Sequence, residues 1–138
     1  MEILLDTTFL LPIVGVRVRE VEEIMEKLWI KYRRGEVKVY YTDLNMLEIA
    51  WKLSKTSYNP VIREGLLSIE RNFTKIPLRH SSLLKALELK RKGFNDLIDL
   101  LLYTTAQDND LMFLTLDRTL VNFLRSIGEN VDIVLTSI

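Results

Sequence analysis

The spacing of hydrophobic residues along the chain predicts alternating strands and helices. Apolar residues form short continuous or alternating runs, as in strands, and between these runs they recur every three or four residues, as in amphipathic helices. The predicted strands are residues 3–5, 37–41, 73–78, 111–114 and 131–135, and the predicted helices are residues 17–34, 44–51, 61–69, 81–92, 95–106 and 120–127. This alternation is typical of an α/β protein, with a parallel sheet covered by helices on both faces.

Length and composition predict one domain over residues 1–138. The 138 residues are 48% hydrophobic and 28% charged, which is ordinary for a globular protein. Nineteen basic residues balance nineteen acidic ones, which argues against a protein that binds nucleic acid through overall positive charge but does not exclude a locally basic groove. The absence of cysteine excludes disulfides and thiolate chemistry.

The sequence predicts no association with a membrane. No apolar run approaches the roughly 20 residues of a membrane span. Glu2 and Asp6 interrupt the apolar N-terminus, which argues against a signal peptide. We therefore expect a cytoplasmic protein.

Four carboxylates stand where secondary structure alone does not fully explain them. Asp6 and Asp117 each follow a predicted buried strand, and open parallel sheets bind ligands at that end of their strands. Glu48 lies on an otherwise apolar face of a predicted helix. Asp99 lies in a predicted helix that is apolar at nearly every position, and an unpaired buried carboxylate is costly.

Three of these acids also have a purely structural explanation. Asp6 could cap a turn, and Asp117 is a favoured residue at a helix N-terminus. Glu48 could form a capping box with Asn45 if that helix began later than Thr42 or Asp43 suggests.

Asp99 is the hardest of the four to explain by structure. With Asn95 as the N-cap, Asp99 occupies the fourth helical position, beyond the positions where capping and the helix dipole help most. Asp96 would then occupy the first position, where the dipole favours a carboxylate, so we interpret it as a helix-start residue that could border a site.

Together these acids predict a metal-dependent site. Several carboxylates placed close together cannot all ionise without cations, and hard oxygen ligands select Mg²⁺ or Mn²⁺. Such clusters suit phosphodiester hydrolysis, since the metal activates a water and neutralises charge on the leaving oxygen.

Three segments in this order resemble the PIN domain, the family that includes the VapC-type toxins of toxin–antitoxin pairs. They are DTTFLLP beginning at Asp6, LNMLEIAWKL containing Glu48, and DLLLYTTAQDNDLMFLTLD from Asp99 to Asp117. The third is the most specific, because it keeps the family's spacing between an acid and the TLD sequence, with the small residue Ala106 between them. The resemblance covers nearly the whole chain.

The resemblance implies a three-layer α/β/α sandwich and an endoribonuclease that depends on Mg²⁺ or Mn²⁺. It also implies an RNA substrate, a homodimer and a small antitoxin partner. Residues that match by position would be the catalytic and metal-binding acids Asp6, Glu48, Asp99 and Asp117, with Thr7, Thr8 and Thr115 as polar neighbours. Asp96 does not match the main pattern and would stand beside the site.

Two alternatives stay open, a PIN-fold RNA-processing nuclease that is not a toxin and a non-catalytic protein-binding PIN module. Arg118 could contact an RNA phosphate, although a solvated helix face is the simpler explanation. His80, the only histidine, falls in a predicted loop and is interpreted as a surface or capping residue, which argues against a histidine triad. Apolar residues near 9–12 and Trp29 could serve a partner, but core packing accounts for them more simply.

Overall fold

Five parallel strands form the central sheet in the computed structural model, which describes residues 1–138. The strands are arranged in the order β3-β2-β1-β4-β5, so the first strand in the sequence lies at the centre. Their bounds are β1 Glu2–Leu5, β2 Lys38–Tyr41, β3 Thr74–Lys75, β4 Met112–Leu114 and β5 Val134–Leu135. The predicted α/β class with a parallel sheet is confirmed.

Six α-helices connect the strands, joined by short 3-10 turns at residues 7–9, 11–14 and 19–21. The helices are α1 Glu22–Arg33, α2 Asp43–Leu53, α3 Pro60–Asn72, α4 His80–Arg91, α5 Leu97–Asp108 and α6 Arg118–Ser126. None of these helices combines the length and apolar character needed to cross a membrane.

The side chains of β1 alternate between two hydrophobic cores. Ile3 and Leu5 contribute to a core with residues of α1, α2 and α3, whereas Leu4 contributes to a second core with residues of α4, α5 and α6. All three side chains are fully buried, as expected for a central strand covered on both faces. The helices therefore form one layer on each face of the sheet, and the three layers together are the predicted α/β/α sandwich.

The connections change faces of the sheet between β1 and β4. The segments before and after β2 belong to the first core, and those around β4 and β5 belong to the second. Such a switch point leaves a crevice at the carboxyl ends of the two strands, where α/β proteins bind ligands. Asp6 follows β1 there, with its backbone N–H donating to Leu114 O at 3.0 Å.

Several predicted boundaries are shifted. The helix predicted for residues 17–34 begins only at Glu22. His80 is the first residue of α4 rather than part of a loop, because Arg79 takes the extended conformation of an N-cap. The strands predicted at 73–78 and 131–135 shrink to two residues each, since β3 and β5 pair only with the last residues of their short neighbours. Strand β3 stands at one edge of the sheet.

The apolar residues considered for a partner surface largely pack inside the protein. Phe9, Leu10 and Leu11 are buried in the first core. Trp29 is half-buried and stacks on Phe73, with ring centroids 5.7 Å apart.

Candidate active site

A cleft of about 870 Å³ opens at the carboxyl ends of β1 and β4. The side chains that line it include every carboxylate singled out in the sequence and two of the three threonines, namely Asp6, Glu48, Asp96, Asp99, Asp117, Thr7 and Thr8. Thr115 is buried and contacts Asp6. Arg118 is exposed and does not line the cleft.

Asp6 is held at the floor of the cleft by the neighbouring strand. The Thr115 hydroxyl, which follows β4, donates to Asp6 Oδ2 at 2.9 Å. The pKa of Asp6 is raised to about 6, because burial and the nearby charges of Glu48 and Asp117 outweigh the lowering effect of the Thr115 hydrogen bond. The carboxylate is therefore fixed in place but poorly stabilised as an anion.

Glu48 is positioned through a relay of hydrogen bonds that joins α2 to the end of β1. The buried Asn45 donates through Nδ2 to Leu5 O at 3.1 Å and to Thr7 Oγ1 at 3.0 Å. The Thr7 hydroxyl in turn donates to Glu48 Oε1 at 2.5 Å. Burial raises the pKa of Glu48, while the bond from Thr7 lowers it and the charge of Asp96 raises it.

The start of α2 rules out the capping box considered for Glu48. Thr42 is the N-cap, and its hydroxyl accepts from the backbone of Leu44 and of Asn45. In return, Asn45 Oδ1 accepts from the Thr42 backbone N–H at 2.8 Å. Because the capping box consists of Thr42 and Asn45, Glu48 has no role at the helix start.

The start of α5 differs from the prediction by one residue. Asp96, rather than Asn95, is the N-cap, and its Oδ1 accepts from the Asp99 backbone N–H at 3.2 Å. Asp is as effective an N-cap as Asn, so the sequence did not distinguish them. Asp99 consequently stands at the third helical position instead of the fourth, and Asp96 caps the helix while also lining the cleft.

Asp99 is the most perturbed acid of the cleft. The pKa of Asp99 is raised to about 8, chiefly by burial and then by the charges of Asp6 and Asp96. The neighbouring Asp117 carboxyl raises it as well. The cleft thus concentrates more negative charge than it can hold by itself.

Asp117 serves the fold and the cleft together. Its Oδ1 accepts from the Leu120 backbone N–H at 3.1 Å and so caps α6. Its own backbone N–H donates to Thr115 Oγ1 at 3.1 Å. Thr115 therefore connects Asp117 to Asp6 across the floor of the cleft. The structural explanation of Asp117 as an N-cap is confirmed, and it does not exclude a second role.

Sequence reasoning missed the rest of the α2 side of the cleft. The face with Leu47 and Trp51 looked like a core face, yet these side chains are 65% and 67% exposed and line the cleft. The core face of α2 is instead formed by Asn45 and Ile49. Asn45 was considered only as a cap, although its position one turn before Glu48 was the available signal.

The donor chemistry of the cleft suits a hard divalent cation. Its acids offer only oxygen ligands, and burial together with the neighbouring carboxylates raises the pKa values of Asp6 and Asp99, so a bound cation would favour their ionised forms. No group of three or more histidine, cysteine, aspartate or glutamate side chains is arranged to hold a metal ion as it stands. The acids therefore fit a cation in charge and ligand type, and their side chains would have to turn to coordinate one.

Comparison with known proteins identifies a family and a shared fold. A family model described as the PIN domain matches residues 3–124. No curated protein sequence matches the chain.

Similar solved structures come from toxin–antitoxin systems. VapBC2 of Rickettsia felis, bound to a DNA fragment from its promoter, is 14% identical, with a TM-score of 0.68 over 89% of this chain and 93% of that one. A toxin–antitoxin complex of Klebsiella pneumoniae is 17% identical, with a TM-score of 0.65 over 98% of both chains. VapC20 of Mycobacterium tuberculosis, a toxin that cleaves the sarcin-ricin loop, is 12% identical, with a TM-score of 0.66 over 93% and 96%. Identities this low show a common fold.

Proposed function

The chain belongs to the PIN-domain family, and from that membership and the geometry of its cleft we propose that it is a metal-dependent endoribonuclease. In this proposal it hydrolyses phosphodiester bonds of RNA. PIN domains are typically nucleases, and the chain carries an acid at each position expected from the family pattern.

The observation that carries the proposal is the convergence of separate segments on one cleft. Asp6 follows β1, Glu48 lies on α2, Asp99 lies on α5 and Asp117 follows β4, yet all four line the same crevice. The fold keeps these acids together although burial and mutual repulsion raise the pKa values of three of them, Asp6, Glu48 and Asp99. Such an arrangement costs stability, and a function that uses the charge is the simplest reason to retain it.

The threonines of the cleft orient the carboxylates, and the carboxylates would bind the metal. Thr115 orients Asp6, and Thr7 orients Glu48, so that both carboxylates are fixed before a substrate arrives. Asp6, Glu48, Asp99 and Asp117 would hold Mg²⁺ or Mn²⁺, which when bound would activate a water and neutralise charge on the leaving oxygen. Asp96 and Thr8 line the same space, and Asp96 also accepts from the Asp99 backbone N–H.

A cleavage assay tests the proposal. Purified protein is incubated with a set of structured and unstructured RNAs in Mg²⁺, in Mn²⁺ and in EDTA, and we expect cleavage that the chelator abolishes. Glu48→Gln should lose most of the activity, whereas Glu26→Gln, an exposed glutamate on α1, should keep it. Absence of metal-dependent cleavage of any RNA, together with no metal binding by calorimetry, would refute the nuclease and favour a non-catalytic PIN module.

We further propose that the nuclease is a toxin that forms a homodimer and is inhibited by a small antitoxin protein. Support comes from the similar solved structures, which include toxin–antitoxin complexes. Expression of the chain alone should arrest growth, and expression of the Glu48→Gln protein should not. A neighbouring reading frame that restores growth would identify the antitoxin, whereas growth without arrest would favour an RNA-processing nuclease. Light scattering tests the dimer.

A further inference from the structure

The α2 wall of the cleft presents an exposed indole beside two lysines. Trp51 is 67% exposed and lies three residues after Glu48, so the two side chains share one side of the helix. Lys52 lines the same cleft, and the Lys55 ammonium lies 4.8 Å from the centroid of the Trp51 ring. An aromatic ring with positive charge beside it therefore stands one helical turn from Glu48.

The fold itself does not use this indole. The buried side chains of α2 are Asn45 and Ile49, and Trp51 takes part in none of the aromatic pairs of the protein. Trp29 shows the contrast, because it stacks on Phe73 within the first core. Leaving a large apolar ring in water at the edge of a cleft forgoes the stabilisation that burial would give, which indicates a surface for a ligand.

We propose that Trp51 is a stacking platform for an unpaired nucleobase of the RNA substrate, next to the phosphate that reacts at the acidic floor. Lys52 and Lys55 would pair with the phosphates on either side of that base. The proposal rests on the proposed ribonuclease function and adds a preference for single-stranded or looped RNA. A base inside a duplex is already stacked on its neighbours, so only an unpaired base can lie on the indole.

Charge favours nucleic acid over a peptide as the occupant. Along a single strand, bases and phosphates alternate, and here an aromatic ring stands beside two ammonium groups, Lys52 on α2 and Lys55 just beyond the end of the helix. A protein that covered Leu47 and Trp51 would bury apolar surface without any need for Lys52 and Lys55. Lys52 is the only basic residue that lines the cleft, and with Lys55 against the Trp51 ring it makes this edge the part of the cleft wall that can attract a phosphate.

Fluorescence gives a direct test of stacking. The Asp99→Asn protein, which should not cleave, is titrated with a short single-stranded oligoribonucleotide and with the matched duplex. The single strand should quench tryptophan emission and bind more tightly than the duplex. Adding Trp51→Phe should remove the quenching, because Trp29 lies outside the cleft, while binding is largely kept. Trp51→Ala should weaken binding about ten-fold or more.

The matched control is Tyr58→Ala, which removes an aromatic ring that is 77% exposed but does not line the cleft. The Asp99→Asn protein that also carries Tyr58→Ala should bind the single strand as tightly as the Asp99→Asn protein alone. If Tyr58→Ala and Trp51→Ala weakened RNA binding equally, or if single strand and duplex bound with equal affinity, the proposed stacking on Trp51 would be wrong.

Kinetics separates this inference from the proposed function. In the active protein, Trp51→Ala should raise KM for single-stranded RNA about ten-fold and change kcat little, because stacking holds substrate and transition state alike. Normal cleavage with an unchanged KM would refute the platform and leave the nuclease standing. If no RNA is cleaved, the nuclease fails, and the titration still decides whether Trp51 binds a base. Loss of binding to a partner protein, with RNA binding intact, would assign Trp51 to a protein interface instead.

Discussion

At the scale of single residues, Asp96 and Asp99 illustrate how similar acids of one helix take different roles. Asp96 caps α5 through its Oδ1, whereas the Asp99 carboxyl is partly buried and feels the charges of Asp6 and Asp117. Asp99→Asn should remove most of the cleavage activity and leave the fold intact. Asp96→Asn should keep most of the activity, because Asn also caps a helix well.

Thermal melts complete this comparison. Asp96→Ala, which removes the cap, should lower stability by about 0.5–2 kcal/mol. Asp99→Asn should raise the Tm of the metal-free protein at neutral pH, since it removes the cost of placing an ionisable carboxyl in a partly buried, acidic site. The control is Asp132→Asn, which replaces an exposed aspartate outside the cleft and should change neither the Tm nor the cleavage activity. An inactive Asp96→Asn protein beside an active Asp99→Asn protein would assign the reacting carboxylate to Asp96.

The same scale shows what local patterns could and could not predict. Spacing and order were enough to select Asp6, Glu48, Asp99 and Asp117, and all four line one cleft. The hydrogen bond from Thr7 to Glu48 joins residues that are 41 positions apart, and no local sequence pattern predicts such a contact.

At the scale of elements, α3 packs closely against the 3-10 turn at residues 11–14 through Gly65. A Cβ atom at this position would lie 2.2 Å from the Ile13 carbonyl oxygen and 2.8 Å from Val14 Cα. These are backbone atoms, which cannot move aside without shifting the turn. Helix propensity favours Ala over Gly by about 1 kcal/mol, so an exposed helix would gain from the substitution.

Gly65→Ala is therefore expected to lower stability by about 1–3 kcal/mol despite that propensity. Chemical denaturation measures the change, and Glu64→Ala, at the exposed neighbouring position, should alter stability little. Because the turn follows Thr7 and Thr8, cleavage activity should fall as well. A Gly65→Ala protein more stable than the parent would show that α3 and the turn can separate at little cost.

Helix α2 shows why an element can be predicted and its orientation missed. Periodicity located the helix, but it cannot tell an apolar face that packs in the core from one that lines a cleft. Here a polar residue, Asn45, is fully buried because its amide groups are all hydrogen-bonded, and Trp51 is exposed. A polar side chain can occupy a buried position when all its hydrogen bonds are made. For Asn45 two of those bonds go to Leu5 and Thr7, which are far away in the sequence.

At the scale of the whole molecule, the continuous apolar run of β1 correctly indicated a strand covered on both faces. The strand order β3-β2-β1-β4-β5 could not be predicted in the same way, because it depends on which face each crossover takes. That order brings Asp6 and Thr115 together over 109 positions of sequence. The candidate site is thus a product of topology as much as of local sequence.

The charge gathered by this topology should link stability to pH in the metal-free protein. On folding, the pKa of Asp6 rises from 3.8 to about 6 and that of Asp99 from 3.8 to about 8. A group that binds its proton more tightly in the folded state lowers the free energy of unfolding as pH rises through that interval. The contribution of these two acids to stability is therefore fully present below pH 3.8 and is lost as pH rises through about 6 and then about 8.

A divalent cation should reverse this loss, because it must displace the same protons to bind. With Mn²⁺ at a fixed concentration, we expect the rise in Tm over EDTA to be small at pH 5, to grow as pH increases, and to level off above about pH 8, where Asp99 is ionised. The measurement is a series of thermal melts across pH, with calorimetry in two buffers to count the released protons. Asp99→Asn should flatten the dependence, and Asp132→Asn should preserve it. A rise in Tm that is the same at every pH would place the cation away from these acids, and the proposed site would have to be abandoned.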